Sequence, residues 1–299
     1  MENHHNEVSG RNLLITMVLN FIITAVEIIG GFIAGSLSLL SDALHNFSDG
    51  ISVITSYSAL KISKRENTAK KTFGYKRAEI LAALFNSSLL LVITVFLFKA
   101  AYSRIIHPAS INGGLMLLVA SVGLIANTLS VLLLKHGSKE SLNIKSTYLH
   151  LATDALSSFA IIIGGIFIHY FKFYWIDPVL TIIIGFYILR ETYKIMKRTI
   201  NILMEATPED INISEIKTDI EKVPEVENLH HVHIWQLNDK SINFEGHINL
   251  CEDLSISQAD MIRYRIETIL LNKFGINHVT LQTEYNTCHD KDMIKKVKK

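Results

Sequence analysis

Two short stretches place histidine and aspartate where water is scarce. One is 40-LSDALHNFSDG-50, which carries Asp42, His45 and Asp49 inside a long apolar run; the other is 149-LHLATDALSS-158, with His150 and Asp154. Four residues turn a helix through about 400°, so His45 and Asp49 share a face, as do His150 and Asp154, and Asp42 falls on the first stripe. Two imidazole nitrogens and two carboxylate oxygens suit a tetrahedral zinc ion. The charge closes in two ways: two carboxylates balance one divalent cation, or they balance two protonated histidines. Imidazole ligates only when deprotonated, so metal and protons compete for the same nitrogens. The pattern predicts metal–proton exchange at one intramembrane site. A single ionisable group near a helix end can snorkel or cap, but two matched pairs in separate apolar runs are costly without a metal or a partner.

Further polar residues sit in the same kind of run. Asn20 and Glu27 lie seven apart on one stripe, and Asn86 and Asn127 stand in two others. Helix–helix hydrogen bonding is the expected role for these. Glu27 has a second reading as a lining of the water path. Asp42 divides evenly between a proton or water relay and a bond to a neighbouring helix.

The elements that must position these residues are visible in the distribution of apolar side chains. Of 299 residues 49% are hydrophobic, and they concentrate before about residue 190. About 20 apolar residues span a bilayer, which gives six candidate spans at 12–34, 37–60, 78–99, 113–135, 147–170 and 176–193. Arg11, Lys61, Lys64, Arg65, Lys70, Lys71, Lys76, Arg77, Lys135, Lys139 and Lys145 lie on one side, and only Lys99, Arg104 and Lys172 on the other. By the positive-inside bias both termini are cytoplasmic. The first run is too long for a signal-peptide core and more spans follow it. The expected organisation is a cytoplasmic tail 1–11, a six-helix transmembrane domain 12–203, a cytoplasmic α+β domain 204–285 and a basic tail 286–299.

The second half reads as helix, strand, strand, helix, strand. Pro208 and the acidic pair after it open a helix to about Lys222. Strands follow at 228-NLHHVHIWQL-237 and 242-INFEGHINL-250, with a turn at 238-NDKS-241, then a helix over 255–274 and a strand at 277-NHVTLQTEY-285. Strand alternation puts His231 and His233 on one face, and His230 on the other with Val232 and Ile234.

Other function classes are excluded or demoted. A net charge of +1 gives no electrostatic case for nucleic acid, and two cysteines, Cys251 and Cys288, make no disulfide framework. There is no His-Glu-x-x-His, no nucleophile beside a base, and four ligands would close the zinc to water, so the chain does not read as an enzyme. A midmembrane site argues for passage rather than storage. Two imidazoles favour zinc over harder cations; transport of Co2+ or Cd2+, or of Mn2+ or Fe2+, is the alternative.

The ordered set 36-SLSLLSDALHNFSD-49, 72-TFGYKRAEILAALFN-86, 149-LHLATDALSS-158, 203-LMEATPEDI-211, 230-HHVHIW-235 and 279-VTLQTE-284 resembles the cation diffusion facilitator family and its CzcD-like zinc-efflux branch, over about residues 11–285. The resemblance implies that His45, Asp49, His150 and Asp154 form the transport site, and that the chain is a homodimer exchanging Zn2+ for H+ between inward- and outward-facing states. It implies a ferredoxin-like, metallochaperone-like tail domain used for dimerisation, with a cytoplasmic metal site on His230, His247 and Glu284. Gln282 and Asp260 stand where relatives have histidine, which weakens a binuclear site. In 66-ENTAKKTFGYKR-77, Thr68, Lys71 and Tyr75 replace the ligands some relatives carry, so no metal is expected there. His136 is alone in a short loop between spans four and five. His4, His5, Cys288 and His289 would add at most weak zinc capture, and the basic tail could touch anionic lipid. The short loops suggest a bacterial inner membrane.

Overall fold

The computed structural model describes residues 2–135, 142–286 and 293, with side chains described for 15–135, 147–286 and 293. His136, Cys288 and His289 lie outside the described residues, as do the side chains of His4 and His5. Among the described residues six long helices come first: α1 (Glu2–Ala34), α2 (Leu37–Ser63), α3 (Ala78–Ile106), α4 (Gly113–Leu134), α5 (Leu142–Phe171) and α6 (Ile176–Leu203). Then follow α7 (Ile213–Ile220), β1 (Val226–Asn238), β2 (Ser241–Leu250), α8 (Ile256–Phe274) and β3 (His278–Glu284). The chain forms two compact units, Met1–Ser58 with Phe85–Met196 and Ala59–Leu84 with Lys197–Lys299. The ends of α2, α3 and α6 thus belong to the second.

Among the described residues four helices carry segments long and apolar enough to cross a membrane: Ile15–Ala34, Ala78–Ile106, Gly113–Leu134 and Thr147–Phe171. α2 and α6 fall short of that measure. α2 is diluted by Ser38, Ser41, Asp42, His45, Asn46, Ser48 and Asp49, and α6 carries Arg190, Glu191 and Lys194. The first unit is inverted relative to a water-soluble domain. Its large apolar side chains face out, with Phe32 71% and Leu156 69% exposed, while Glu27, Asp42, Asn46, Asn127, Asp154 and Asp177 are buried. This is the polarity expected of a helical bundle solvated by lipid.

Small residues let these helices approach. Gly30 of α1 sits against Val119 of α4, Gly165 of α5 against Leu117 of α4, and Gly185 of α6 against Phe98 of α3. Between α2 and α3, Asn86 Nδ2 donates to Thr55 Oγ1 at 2.7 Å. The α1–α2 link turns at Gly35 with φ +70°, a conformation that favours glycine. Its carbonyl accepts from Arg104 at 2.8 Å.

The start of α2 is fixed from a distance in sequence. Asp177, fully buried at the head of α6, accepts from Ser36 Oγ at 2.6 Å, Leu37 N at 2.7 Å, Ser38 N at 3.1 Å and Ser38 Oγ at 2.6 Å. It satisfies two of the orphan N–H groups of a helix N-terminus and places negative charge at the positive end of the dipole.

In the second unit, β1 and β2 pair antiparallel and β2 and β3 parallel, giving the order β1-β2-β3. The helices pack Ile216, Ile220, Ile262, Ile266 and Leu270 against Leu229, Phe244 and Ile248 of the sheet. The Asp239–Lys240 turn is held by Asn238 Oδ1, which accepts from Lys240 N and Ser241 N. α8 begins at a reciprocal Ser255–Gln258 capping box. The helix expected from Pro208 begins only at Ile213. Residues 208–211 form a turn, closed by Ile211 N on the Pro208 carbonyl at 3.1 Å, and Asn212 caps the helix by accepting from Ser214 N. An Asx cap at the better position outcompetes the proline start.

Replacing Asp177 by alanine strands two backbone N–H groups and two hydroxyls in a buried pocket. We expect Asp177→Ala to cost about 2–4 kcal/mol, read as a fall of several degrees in the unfolding midpoint of detergent-solubilised protein. An unchanged midpoint would remove the cap from the account of how α2 is placed.

Candidate functional site

α2 and α5 bring the two His-x-x-x-Asp pairs together in the first unit. Asp49 Oδ2 lies 2.9 Å from His150 Nε2 and 3.6 Å from His45 Nε2. His150 Nε2 is 3.7 Å from Asp154 Oδ2, and the two imidazole rings stand edge to face with centroids 5.7 Å apart. Ligand atoms of His45, Asp49 and His150 all lie within 4.8 Å of one another. Asp154 is deeper; its Oδ2 is buried and has no hydrogen-bond partner among the described residues. Two imidazole nitrogens and two carboxylates thus converge, the donor set of a four-coordinate zinc ion. A cavity of about 250 Å³ reaches Asp49 and His150 past Thr16, Asn20, Phe21 and Thr147. These residues come from the N-terminal parts of α1 and α5 and the middle of α2, so the opening lies toward those ends.

Asp42 does not join this cluster. It faces α5, where Ser157 Oγ donates to it at 2.6 Å and Ser158 Oγ lies 3.4 Å away. Glu27 is also held, accepting from Asn46 Nδ2 at 3.3 Å through one oxygen. Asn46 and the serine pair were in plain view in the sequence, but nothing in their spacing said which acid each would serve.

The second unit holds another cluster. His230 and His247 are directly opposite on β1 and β2, and Glu284 ends β3 beside them. His247 Nδ1 is 2.8 Å from Glu284 Oε1, and His230 Nε2 is 3.4 Å from Glu284 Oε2. All three residues expected from the resemblance therefore meet. Gln282 Nε2 donates to Glu284 Oε1 at 2.8 Å, and Asp260 pairs with Arg263 on α8. Burial pushes the His230 imidazole below its ordinary pKa, with the His231 and His247 rings acting the same way and the Glu284 carboxylate opposing. His230 is therefore neutral over a wider pH range than an exposed histidine.

Strand alternation failed at His231. A break in register between His230 and His233 forms a bulge, with His231 at φ +50° and Val232 N donating to the Met293 carbonyl at 2.8 Å. The bulge turns His231 to the side of His230, so that its ring lies 5.0 Å from His247 and the three histidines offer nitrogens within 4.8 Å of one another. His233 continues on the other face, exposed opposite Glu245.

A multi-pass helical membrane domain with a half-buried His/Asp cluster, followed by a small α+β domain with its own histidine cluster, defines a class of membrane metal-ion carriers. Comparison with known proteins makes the class specific. Residues 13–204 match the cation efflux transmembrane domain, and residues 208–286 match the cytoplasmic domain of cation efflux proteins. The chain belongs to the cation efflux family, whose members are transporters and not enzymes. It is 37% identical over 289 residues to a cadmium, cobalt and zinc/H(+)-K(+) antiporter of Bacillus subtilis, covering 95% of this chain and 92% of that one. It is 34% identical over 290 residues to the metal cation efflux system protein CzcD of Cupriavidus metallidurans, with 96% and 91% covered. To the zinc transporter ZitB of Escherichia coli it is 35% identical over 286 residues, with 95% and 90% covered.

His231 gives the second cluster a third imidazole that strand periodicity hides. In full-length protein carrying His45→Ala and His150→Ala, the added change His231→Ala should weaken residual zinc binding by about tenfold or more. Competition titration against a fluorescent chelator would read it; unchanged affinity would leave His231 outside the cluster.

Proposed function

We propose that this chain exports Zn2+ from the cytoplasm in exchange for protons, through His45, Asp49, His150 and Asp154. The observation that carries the reading is the position of Asp49 Oδ2 between the imidazoles of His45 and His150. With zinc bound, both imidazoles are neutral and the two carboxylates balance the ion. With zinc gone, protons on the imidazoles restore the balance. Each half-cycle is then close to neutral, which is what a low-dielectric site requires. The names of the relatives support the same chemistry, since they describe a zinc transporter, a metal cation efflux system protein, and a cadmium, cobalt and zinc/H(+)-K(+) antiporter.

In this reading six spans make up residues 12–203, both termini are cytoplasmic and the membrane is a bacterial inner membrane. Residues 1–11 and 286–299 are tails. Residues 204–285 dimerise the protein and sense cytosolic zinc through His230, His247 and Glu284, with His231 as a further ligand. Zinc is substrate in the membrane and regulator in the tail domain. Glu27 and Asp42 flank the exchange site as buried polar groups on the way through. Co2+ and Cd2+ form the second reading for the substrate, favoured by the name of the Bacillus subtilis relative. Mn2+ and Fe2+ suit two imidazoles less well.

The test uses purified protein in liposomes with an imposed pH gradient, following zinc and internal pH together. Zinc and protons should move in opposite directions, and Asp49→Ala should stop both fluxes. Normal transport by Asp49→Ala would overturn the site, and zinc movement without proton movement would overturn the exchange.

A further inference from the structure

The stretch 66-ENTAKKTFGYKR-77, which links α2 to α3, has no part in the exchange chemistry. It folds into the second unit and is tied to the sheet there. Thr68 and Lys71 exchange both backbone hydrogen bonds, at 3.1 and 2.9 Å, and Gly74 turns the chain at φ +74°. Phe73 stands edge-on to His278 of β3, with ring centroids 6.1 Å apart, and Lys76 Nζ donates to Ser241 Oγ of β2 at 3.0 Å. Between this loop, the start of α3 and β1 lies a cavity of about 1010 Å³. That is room for an organic ligand and far more than an inorganic ion needs. The charged side chains on its wall are Lys70, Lys71, Lys76, Arg77, Glu205 and Glu245. Arg77 and Glu205 pair at 2.7 Å and cancel. The Lys71 ammonium is held 4.4 Å over the Tyr75 ring and Lys76 rests on a hydroxyl, contacts that position a cation without neutralising it. Three ammonium groups then stand against the single carboxylate of Glu245, a surplus of two positive charges.

We propose that this cavity binds the head group of an anionic phospholipid that carries two phosphates, of the cardiolipin type. Two phosphodiesters match the surplus charge, and each accepts charge-assisted hydrogen bonds from the lysines. The remaining wall fits the apolar side of such a molecule. Trp235 and Val232 of β1 line it, as does Leu81 of α3, which is 55% exposed. Leu81 lies in the first turn of the candidate span that begins at Ala78, so the cavity starts where the chain enters the apolar part of the bilayer. An acyl chain leaving the head group there continues along α3 in lipid. A soluble phosphate compound offers the same charge but nothing to set against Leu81. Basic residues beside a span attract any anionic surface; a walled cavity with two ammonium groups held in place is what makes this a site. The proposal goes beyond the exchange reading and needs only the membrane domain that defines the family.

The experiment titrates delipidated full-length protein in detergent with cardiolipin, with phosphatidylglycerol at equal charge, and with pyrophosphate or ATP at equal ionic strength. Cardiolipin should raise the unfolding midpoint by several degrees more than the others. Lys70→Gln with Lys71→Gln should abolish that difference, and Lys70→Arg with Lys71→Arg should keep it. Lys217→Gln with Lys222→Gln, the same loss of charge away from the cavity, should also keep it. A second readout leaves the lysines untouched. In Trp175→Phe the one remaining tryptophan is Trp235, and cardiolipin carrying a nitroxide near its head group should quench it. An equal gain from pyrophosphate or ATP would overturn the proposal and give the cavity to a soluble phosphate compound. An equal gain from phosphatidylglycerol, or a cardiolipin gain lost alike in both glutamine pairs, would overturn it in favour of general surface charge. No gain from cardiolipin, or no quenching of Trp235, would overturn it as well.

Discussion

A carboxylate in a medium of low dielectric needs a partner close by, and Asp49 meets that constraint by standing between two imidazoles, 2.9 Å from His150 and 3.6 Å from His45. The geometry requires α2 and α5 to hold their register to within about an ångström. The buried cap from Asp177 fixes where α2 begins, the left-handed turn at Gly35 brings α2 back against α1, and Gly165 lets α5 close on α4. These contacts set the spacing of the cluster. The open cavity beside Asp49 gives it access.

The inverted polarity of the first unit follows from the same constraint. Lipid cannot satisfy a polar group, so the acids and amides turn inward, where several bond each other. Glu27–Asn46 and Asp42–Ser157 are pairs of this kind. Apolar side chains such as Phe32 and Leu156 turn outward at no cost, because the tails around them are equally apolar. The soluble unit reverses this pattern, with an isoleucine-rich core under a three-stranded sheet, and it places its metal-type residues at strand positions where only one bulge is needed to gather three histidines.

Much of this was legible from residue spacing. Each His-x-x-x-Asp pair shares a helix face as the period required, α8 covers nearly the whole of the expected 255–274, and the β1–β2 turn fell at 238-NDKS-241. What could not be read was anything that depends on a partner far along the chain. Asp177 looks like the opening of its own helix, yet its carboxylate serves α2. His231 breaks alternation because a bulge, stabilised in part by the Met293 carbonyl, adds one residue to β1. The start of α7 shifted from Pro208 to Ile213 because Asn212 offers a side-chain cap that proline cannot. α2 and α6 were expected as spans, but their polar residues lower their apolarity below that of the other four helices. For α2, those polar residues are the ones that carry the chemistry.

The central claim is that one divalent ion is held by two imidazoles and two carboxylates between α2 and α5. X-ray absorption on protein loaded with one zinc equivalent and carrying His230→Ala, His231→Ala and His247→Ala tests it most directly, because the tail-domain histidine cluster then adds nothing to the signal. The account predicts about two imidazole nitrogens and two oxygens at roughly 2.0–2.1 Å, and loss of most of the bound zinc when His45→Ala and His150→Ala are added. A first shell without imidazole, or zinc retained in full after those two changes, would contradict it.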